Sequence, residues 1–132
     1  MTTEIDLYLE KALSCLSNAH ANLGIGLSND AGRNAYLAAF HAAQAFIFKS
    51  TGKVAKTHNG VRSEFARLAK GEPRIDISFP GFLARAYILK EVADYETGPD
   101  SDIPIERSEE AVETAGRFFA CIAEILRINE TL

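Results

Sequence analysis

The sequence offers little support for disulfide bridges or membrane spans. It has only two cysteines, Cys15 and Cys121, which lie near opposite ends of the chain, each within an apolar helical pattern. We therefore expect buried, unpaired thiols in a reducing compartment. The longest nearly uncharged run, residues 35–48, is too short to cross a bilayer, and the acidic amino terminus differs from the basic start of a signal peptide. These features predict a cytoplasmic protein without a membrane segment.

The sequence also lacks an excess of positive charge. Its 132 residues include 14 basic and 18 acidic side chains, for a formal net charge of -4. A protein that coats nucleic acid or membrane by bulk electrostatics is therefore excluded, whereas a local basic patch is not. The length suits one compact domain over residues 1–132, because two hydrophobic cores would each be too small.

Common catalytic and metal-binding motifs are missing as well. There is no nucleophile elbow, no phosphate loop followed by Lys and Ser or Thr, no Cys-x-x-Cys and no His-Glu-x-x-His. The three histidines, His20, His41 and His58, lie on separate segments. We therefore predict no metal and no other cofactor. His20, between two alanines, is expected to be a core residue.

Apolar residues recur at steps of three and four along most of the chain, which is the pattern of amphipathic helices. No segment alternates long enough for a strand, and the nearest one, residues 75–77, is too short to found a sheet. Because the connections are short, neighbouring helices should be antiparallel. The predicted fold is all-α, a four- to five-helix up-and-down antiparallel bundle. The predicted helices span residues 5–23, 31–49, 58–69, 79–94 and 106–129.

Residues that start and stop helices define these boundaries. Thr51-Gly52 ends the second predicted helix, and Thr57 is placed to cap the third. Pro80 falls in the first turn of the fourth helix, where its missing amide costs least. Residues 96–104 have the composition of an exposed turn. The candidates for capping the second helix are Ser28, Asn29 and Asp30.

The second predicted helix is apolar all round, so we expect it to be central and the most buried. Arg33 and His41 are eight residues apart, hence about 80° apart around the helix and ~12 Å apart along it. They are too distant to touch, although they could flank one cleft. The residues alone favour the alternative, in which Arg33 caps the surface and His41 bonds to a neighbouring helix. The polar and aromatic residues of this helix are Arg33, Tyr36, Phe40, His41 and Gln44.

Four short motifs follow one another along the chain from Arg33 onwards. They are Arg33-Asn-Ala-Tyr36-Leu-Ala-Ala-Phe40-His41, Lys56-Thr57-His58-Asn59-Gly60-Val61 with Phe65, Ala93-Asp94-Tyr95, and Glu109-Glu110-Ala111. The ordered set is more specific than any single motif and covers most of the chain. In this order the motifs resemble the HEPN family of small helical proteins.

The resemblance implies a helical bundle that commonly forms homodimers and a role near RNA or nucleotides. Many such proteins are paired with a minimal nucleotidyltransferase in toxin-antitoxin systems. Ribonuclease members carry Arg, four to six residues and then His, which meet across the dimer to stabilise phosphate charge and move a proton. Here Lys90 and Tyr95 occupy that stretch. Lys keeps the charge but loses the bidentate fork, and a phenol of pKa ~10 is a poor base at neutral pH.

The resemblance thus implies Lys90 and Tyr95 as the catalytic candidates, in a motif that departs from the Arg/His pattern of the family. Each position also has a structural alternative: Lys90 and Asp94 suit an i,i+4 surface ion pair, Asp94 and Tyr95 can bond backbone groups of the next turn, and His58 can tie its loop to the bundle instead of binding an anion. The candidates for binding nucleotide or RNA are Arg33, Tyr36, His41, His58 and Asp94.

Three functional hypotheses follow. The first is a nucleotide- or RNA-binding partner of a minimal nucleotidyltransferase. The second is a metal-independent ribonuclease toxin with an altered Arg/His motif. The third is a non-catalytic adaptor that only holds another protein.

Overall fold

The computed structural model describes residues 3–95, 97–98 and 102–131. These ranges contain five α-helices and no strand, which confirms the predicted all-α fold. The predicted exposed turn at residues 96–104 lies partly outside the described residues, because 96 and 99–101 are not among them. The helices are α1 (Glu4–Gly24), α2 (Ser28–Thr51), α3 (His58–Ala69), α4 (Phe79–Tyr95) and α5 (Ile105–Thr131).

Helix α2 is the centre of the bundle, as its sequence predicts. It packs against each of the other four helices, and its alanines let the neighbouring backbones approach closely. The core continues beyond α2 in an aromatic group in which the Phe118 ring contacts Phe65, Phe79 and Phe82. The buried residues of α2 are Ala31, Gly32, Ala35, Tyr36, Ala38, Ala39, Phe40, Ala42, Ala43, Gln44, Ala45, Phe46 and Ile47.

The four long helices alternate in direction. Asn34, near the start of α2, donates a hydrogen bond to Asn22, near the end of α1, and Arg33 bonds in the same way to Asp94, near the end of α4. Ser108, near the start of α5, contacts the start of α2. Helices α1 and α4 therefore run antiparallel to α2 and α5, as in an up-and-down bundle.

Helix α3 is a short addition to this arrangement. Its first residue, His58, packs on Phe40, and Phe65 farther along packs on Phe46, so α3 follows the general direction of α2. Residues 52–57 return along α2 before α3 begins. This return places the first turn of α3 beside the first half of α2 and the second half of α4.

Several predicted helix ends are confirmed. The Thr57 hydroxyl accepts a hydrogen bond of 2.9 Å from the Gly60 amide, so it caps α3. Gly52 follows α2 in the left-handed conformation, with φ of 71°, which glycine adopts without strain. Pro80 lies in the first turn of α4.

The predicted cap of α2 is wrong. The helix begins at Ser28 itself, and Leu27, the residue before it, makes no side-chain cap bond. The polar side chains at this end serve a tertiary contact instead. The Ser28 hydroxyl donates to the Ile103 carbonyl, Asn29 accepts from the Ile103 amide, and the Ser108 hydroxyl donates to the Ser28 carbonyl.

Two further expectations need correction. His20, predicted to be a core residue, is exposed. Cys15 and Cys121 are free thiols as predicted, but both are half-buried rather than buried. Within the described ranges, no helix is long and apolar enough to cross a membrane.

Candidate functional site

Three helices bring most of the predicted site residues to one surface. Helix α2 supplies Arg33 and Tyr36, the first turns of α3 supply His58, and the second half of α4 supplies the others. Among the predicted residues only His41 has separate partners. We call this surface the polar cluster, and its members are Arg33, Tyr36, His58, Arg62, Tyr87, Lys90, Glu91, Asp94 and Tyr95.

Asp94 holds the charged half of the polar cluster together. Its carboxylate accepts a hydrogen bond of 2.9 Å from Lys90 Nζ and another of 2.9 Å from Arg33 Nε. The Lys90 side chain is only 11% exposed, so the predicted i,i+4 pair exists but one partner is nearly buried. An ammonium group in that position needs the carboxylate, because an unpaired buried charge is costly.

These contacts change the acidity of both partners. Partial burial tends to raise the pKa of Asp94, but the Lys90 hydrogen bond and the Arg33 charge outweigh it, so that pKa lies below its usual value. The hydrogen bond to Asp94 raises the pKa of Lys90. Both groups are therefore charged at neutral pH.

His58 lies in the aromatic half of the polar cluster. Its Nδ1 atom is 2.8 Å from the hydroxyl of Tyr36, a side chain with no exposed surface. Its ring centroid lies 4.9 Å from that of Phe40 and 5.3 Å from that of Tyr87. The structural alternative for His58, a tie between the start of α3 and the bundle, is thus observed.

Burial is the main influence on the acidity of this pair. It lowers the pKa of His58, and the positive charges of Lys90 and Arg62 lower it further. Burial raises the pKa of Tyr36 well above its ordinary value. At neutral pH the imidazole is therefore mainly neutral and the phenol keeps its proton.

Sequence reasoning missed Arg62, Tyr87 and Glu91. The Arg62 guanidinium lies over the Tyr87 ring, 4.1 Å from the centroid, and hydrogen bonding to Glu91 raises the pKa of Tyr87. Arg62 is four residues after His58, so the two share one face of α3. That spacing was the available signal, but which face of α3 meets α4 is a tertiary property.

Tyr95 and Lys90, the two catalytic candidates, are adjacent. Lys90 Nζ lies 5.2 Å from the centre of the Tyr95 ring, and Tyr95 is 69% exposed. Lys90 is bound to Asp94 at the same time. The pair therefore offers a cation that is already bound to a carboxylate, and an exposed phenol.

His41 stands apart from Arg33 and has a structural partner. Its Nδ1 atom is 2.8 Å from the Gln44 side-chain oxygen, and Gln44 donates a hydrogen bond of 2.8 Å to the Ala55 carbonyl. The two side chains thus connect α2 to the returning segment 52–57. Burial lowers the pKa of His41.

A separate groove of about 340 Å³ lies between α4 and α5. It shares no residue with the polar cluster. Its lining includes Arg85, Arg107 and Arg117, and no ion pair joins these arginines to another side chain in the part of the chain that the structure describes. The described residues contain no group of three or more His, Cys, Asp or Glu side chains placed to hold a metal ion.

Comparison with known proteins identifies the family of the chain. A search of curated proteins found no significant match. A family model described as the HEPN domain matches residues 5–126, which include the whole polar cluster and nearly all of the five helices. The chain therefore belongs to the HEPN family.

Proposed function

We propose that this protein is a nucleotide- or RNA-binding HEPN protein that acts as the partner of a minimal nucleotidyltransferase in a toxin-antitoxin type pair. The observation that carries the proposal is the polar cluster. Three helices from separate parts of the sequence converge there and present cations and aromatic rings on one surface. Cations suit phosphate groups and aromatic rings suit bases, so together they match a nucleotide or an unpaired RNA strand.

A nucleotide or an RNA strand would first contact the exposed members of the polar cluster. Tyr95 is 69% exposed and the Arg33 side chain 43% exposed, whereas Tyr36 is fully buried behind them. We assign Arg33 and Tyr95 to direct contact, and Tyr36, Lys90 and Asp94 to positioning. A protein with net charge of -4 would bind RNA here only through this local surface.

We further propose that the protein forms a homodimer through an exposed face of α4, here called the α4 stripe. At about 100° per residue, its members lie within about 40° of one line along the helix. Ile88 is 60% exposed and Tyr95 69% exposed, although the opposite face of α4 is already buried in the core. The members are Gly81, Ala84, Ile88, Val92 and Tyr95.

The α4 stripe is suited to a second copy of itself. When two such helices pair antiparallel around Ile88, the Tyr95 ring of one copy comes opposite Gly81 of the other, so that a large group meets a small one. Exposed apolar side chains such as Ile88 also favour cover by a partner. Since Tyr95 belongs both to the α4 stripe and to the polar cluster, pairing would bring the two polar clusters together, with one side of the Tyr95 ring against the partner and the other open to the ligand.

Fluorescence anisotropy with a labelled single-stranded oligoribonucleotide tests ligand binding. We expect binding by the parent protein and weaker binding by Arg33→Ala and Tyr95→Ala. Arg67→Ala is the matched control, because Arg67 is an exposed arginine that pairs with Glu64 away from the polar cluster. Equal affinity in all four proteins would contradict the proposed site.

The nucleotidyltransferase partnership has its own test. If the gene beside this one encodes a small nucleotidyltransferase, the two purified proteins should form a complex in size-exclusion chromatography. A neighbouring gene of another kind, with no complex formed, would contradict the partnership. A complex without any RNA or nucleotide binding would favour the adaptor hypothesis instead.

The ribonuclease hypothesis makes a different prediction. We expect weak or no RNA cleavage in the presence of chelator, because Lys90 is bound to Asp94 and the Tyr95 phenol is a poor base. Structured and unstructured RNA should be incubated with the parent and with Lys90→Ala, Tyr95→Phe, His41→Ala and His58→Ala. Robust cleavage lost in the first two variants would establish the altered motif as an active site.

A further inference from the structure

Within the described residues, Arg62 is the one cation of the polar cluster that no carboxylate neutralises. The Arg33 and Lys90 side chains both bind Asp94, whereas Arg62 makes no ion pair in the same part of the chain. Its guanidinium is held by the Tyr87 ring, at 4.1 Å from the centroid. Its Nε atom is buried and has no hydrogen-bond partner among the described residues. Such an orphaned donor is rare in folded proteins.

His58 offers a second donor on the same face of α3. Its Nδ1 atom is taken by the Tyr36 hydroxyl, and its Nε2 atom makes no hydrogen bond within the described ranges. Because Tyr36 keeps its phenolic proton, it can donate to Nδ1 and thereby place the imidazole proton on Nε2. The rings of Tyr36, Phe40 and Tyr87 restrict the imidazole from several sides.

We propose that Arg62 and His58 form a phosphate-binding corner of the polar cluster, with Tyr36 as the positioning residue that makes His58 Nε2 a donor. The Arg62 guanidinium supplies the positive charge and a planar set of N–H groups, which matches phosphate geometry. Glu91 is a carboxylate that acts on both His58 and Tyr87. Only the identity of the natural ligand, a nucleotide phosphate or an RNA phosphodiester, rests on the proposed function.

Long-range ¹H–¹⁵N spectra of the histidine rings test this corner in the unmodified protein. The probes are inorganic phosphate, adenosine monophosphate, adenosine and a single-stranded oligoribonucleotide. We expect the His58 signals to show the Nε2–H tautomer and to shift with every probe except adenosine, while His20 does not shift. A His58 ring that carries its proton on Nδ1, or His58 signals that do not shift when phosphate is added, would overturn the proposal.

Substitutions then show whether phosphate binds at Arg62 or at another arginine. Arg62→Gln should weaken phosphate and nucleotide binding by about tenfold or more, as expected for loss of a charge-assisted contact, and Arg62→Lys should weaken it less. Arg85→Gln is the matched control, because Arg85 is an exposed arginine of the α4/α5 groove. Loss of binding in Arg85→Gln but not in Arg62→Gln would assign the phosphate to that groove and refute the corner.

The outcomes distinguish this proposal from the proposed function. Binding of inorganic phosphate at His58 without binding of nucleotide or RNA would support the corner and contradict the proposed function. RNA binding that is unchanged in Arg62→Gln would support the proposed function and contradict the phosphate-binding corner. Tyr36→Phe provides an independent readout, since loss of its hydroxyl should change the His58 tautomer in the spectra even before any ligand is added.

Discussion

Asp94 contributes more to the stability of the fold than its position at the end of α4 suggests. It neutralises Lys90, whose side chain is only 11% exposed, and it connects α4 to Arg33 of α2. The motif that contains Asp94 was recognisable in the sequence. The sequence alone does not show that Lys90 and Arg33 both bind Asp94, because Lys90 is one turn away on α4 whereas Arg33 is 61 residues away in the chain.

Replacing Asp94 by Asn should destabilise the protein. The substitution leaves the Lys90 ammonium nearly buried without a counter-charge, a loss of about 1–3 kcal/mol in the free energy of unfolding. Urea denaturation followed by circular dichroism measures it. Glu64→Gln, which breaks the exposed Arg67–Glu64 pair, is the control and should have little effect. A loss of similar size in both variants would contradict the assigned role of Asp94.

Two histidines should make stability depend on pH. Burial lowers the pKa of His41 and of His58 in the folded protein, so the unfolded chain binds more protons as the pH falls through about 6.5. The free energy of unfolding should therefore decrease between about pH 7.5 and 5.5. For His58, Lys90 and Arg62 favour this effect, whereas Glu91 and Asp94 oppose it.

Urea denaturation across this pH range provides the measurement. The double variant His41→Gln with His58→Gln should show a flatter profile, whereas His20→Gln, which alters an exposed histidine, should keep the parental slope. Asp94 affects stability in a lower pH range. Since the pKa of its carboxyl group is lowered in the folded protein, its contribution to the free energy of unfolding is lost only as the pH falls below about 4. A parental profile that is flat from about pH 7.5 to 5.5 would contradict the histidine assignment.

At the scale of the helices, two glycines in helical positions should respond in opposite ways to alanine. Gly116 lies inside α5, and open space surrounds the position that an alanine methyl group would occupy, so Gly116→Ala should raise the free energy of unfolding by about 0.5–1 kcal/mol. A Cβ atom at Gly60 would lie 2.7 Å from the Thr57 hydroxyl oxygen, the atom that caps α3. Gly60→Ala should therefore lower it, by up to about 1 kcal/mol.

Thermal or urea denaturation of the two variants and the parent tests this contrast under one set of conditions. Thr57→Ala provides the matched comparison, because it removes the cap without adding a methyl group at Gly60. If Gly60→Ala stabilises the protein as much as Gly116→Ala does, the close approach at the start of α3 has no energetic meaning.

At the scale of the whole molecule, the α4 stripe predicts a homodimer. Ile88→Glu should shift the protein to monomers in sedimentation velocity, because it places a charge in the centre of the proposed interface. Its helix content should not change, since Ile88 is 60% exposed in the single chain. Leu13→Glu is the control, as Leu13 is a half-exposed leucine on α1. A parent protein that stays monomeric at micromolar concentration would contradict the dimer.

The sequence by itself determined the helices. Five helical segments, the central place of α2, the Thr57 cap and the break at Gly52 all follow from apolar periodicity and from local backbone preferences. These are short-range effects, so a single sequence contains them. The ordered motifs likewise identified the family that the comparison confirms.

Only the tertiary structure decided which side chains meet. Ser28 bonds to the segment before α5 rather than capping its own helix, and His20 faces outward, because packing between helices overrides local preference. Arg62 lies outside the motifs that indicated the family. It joins the polar cluster because the return of residues 52–57 places α3 beside α4, and that path depends on contacts between residues far apart in the chain.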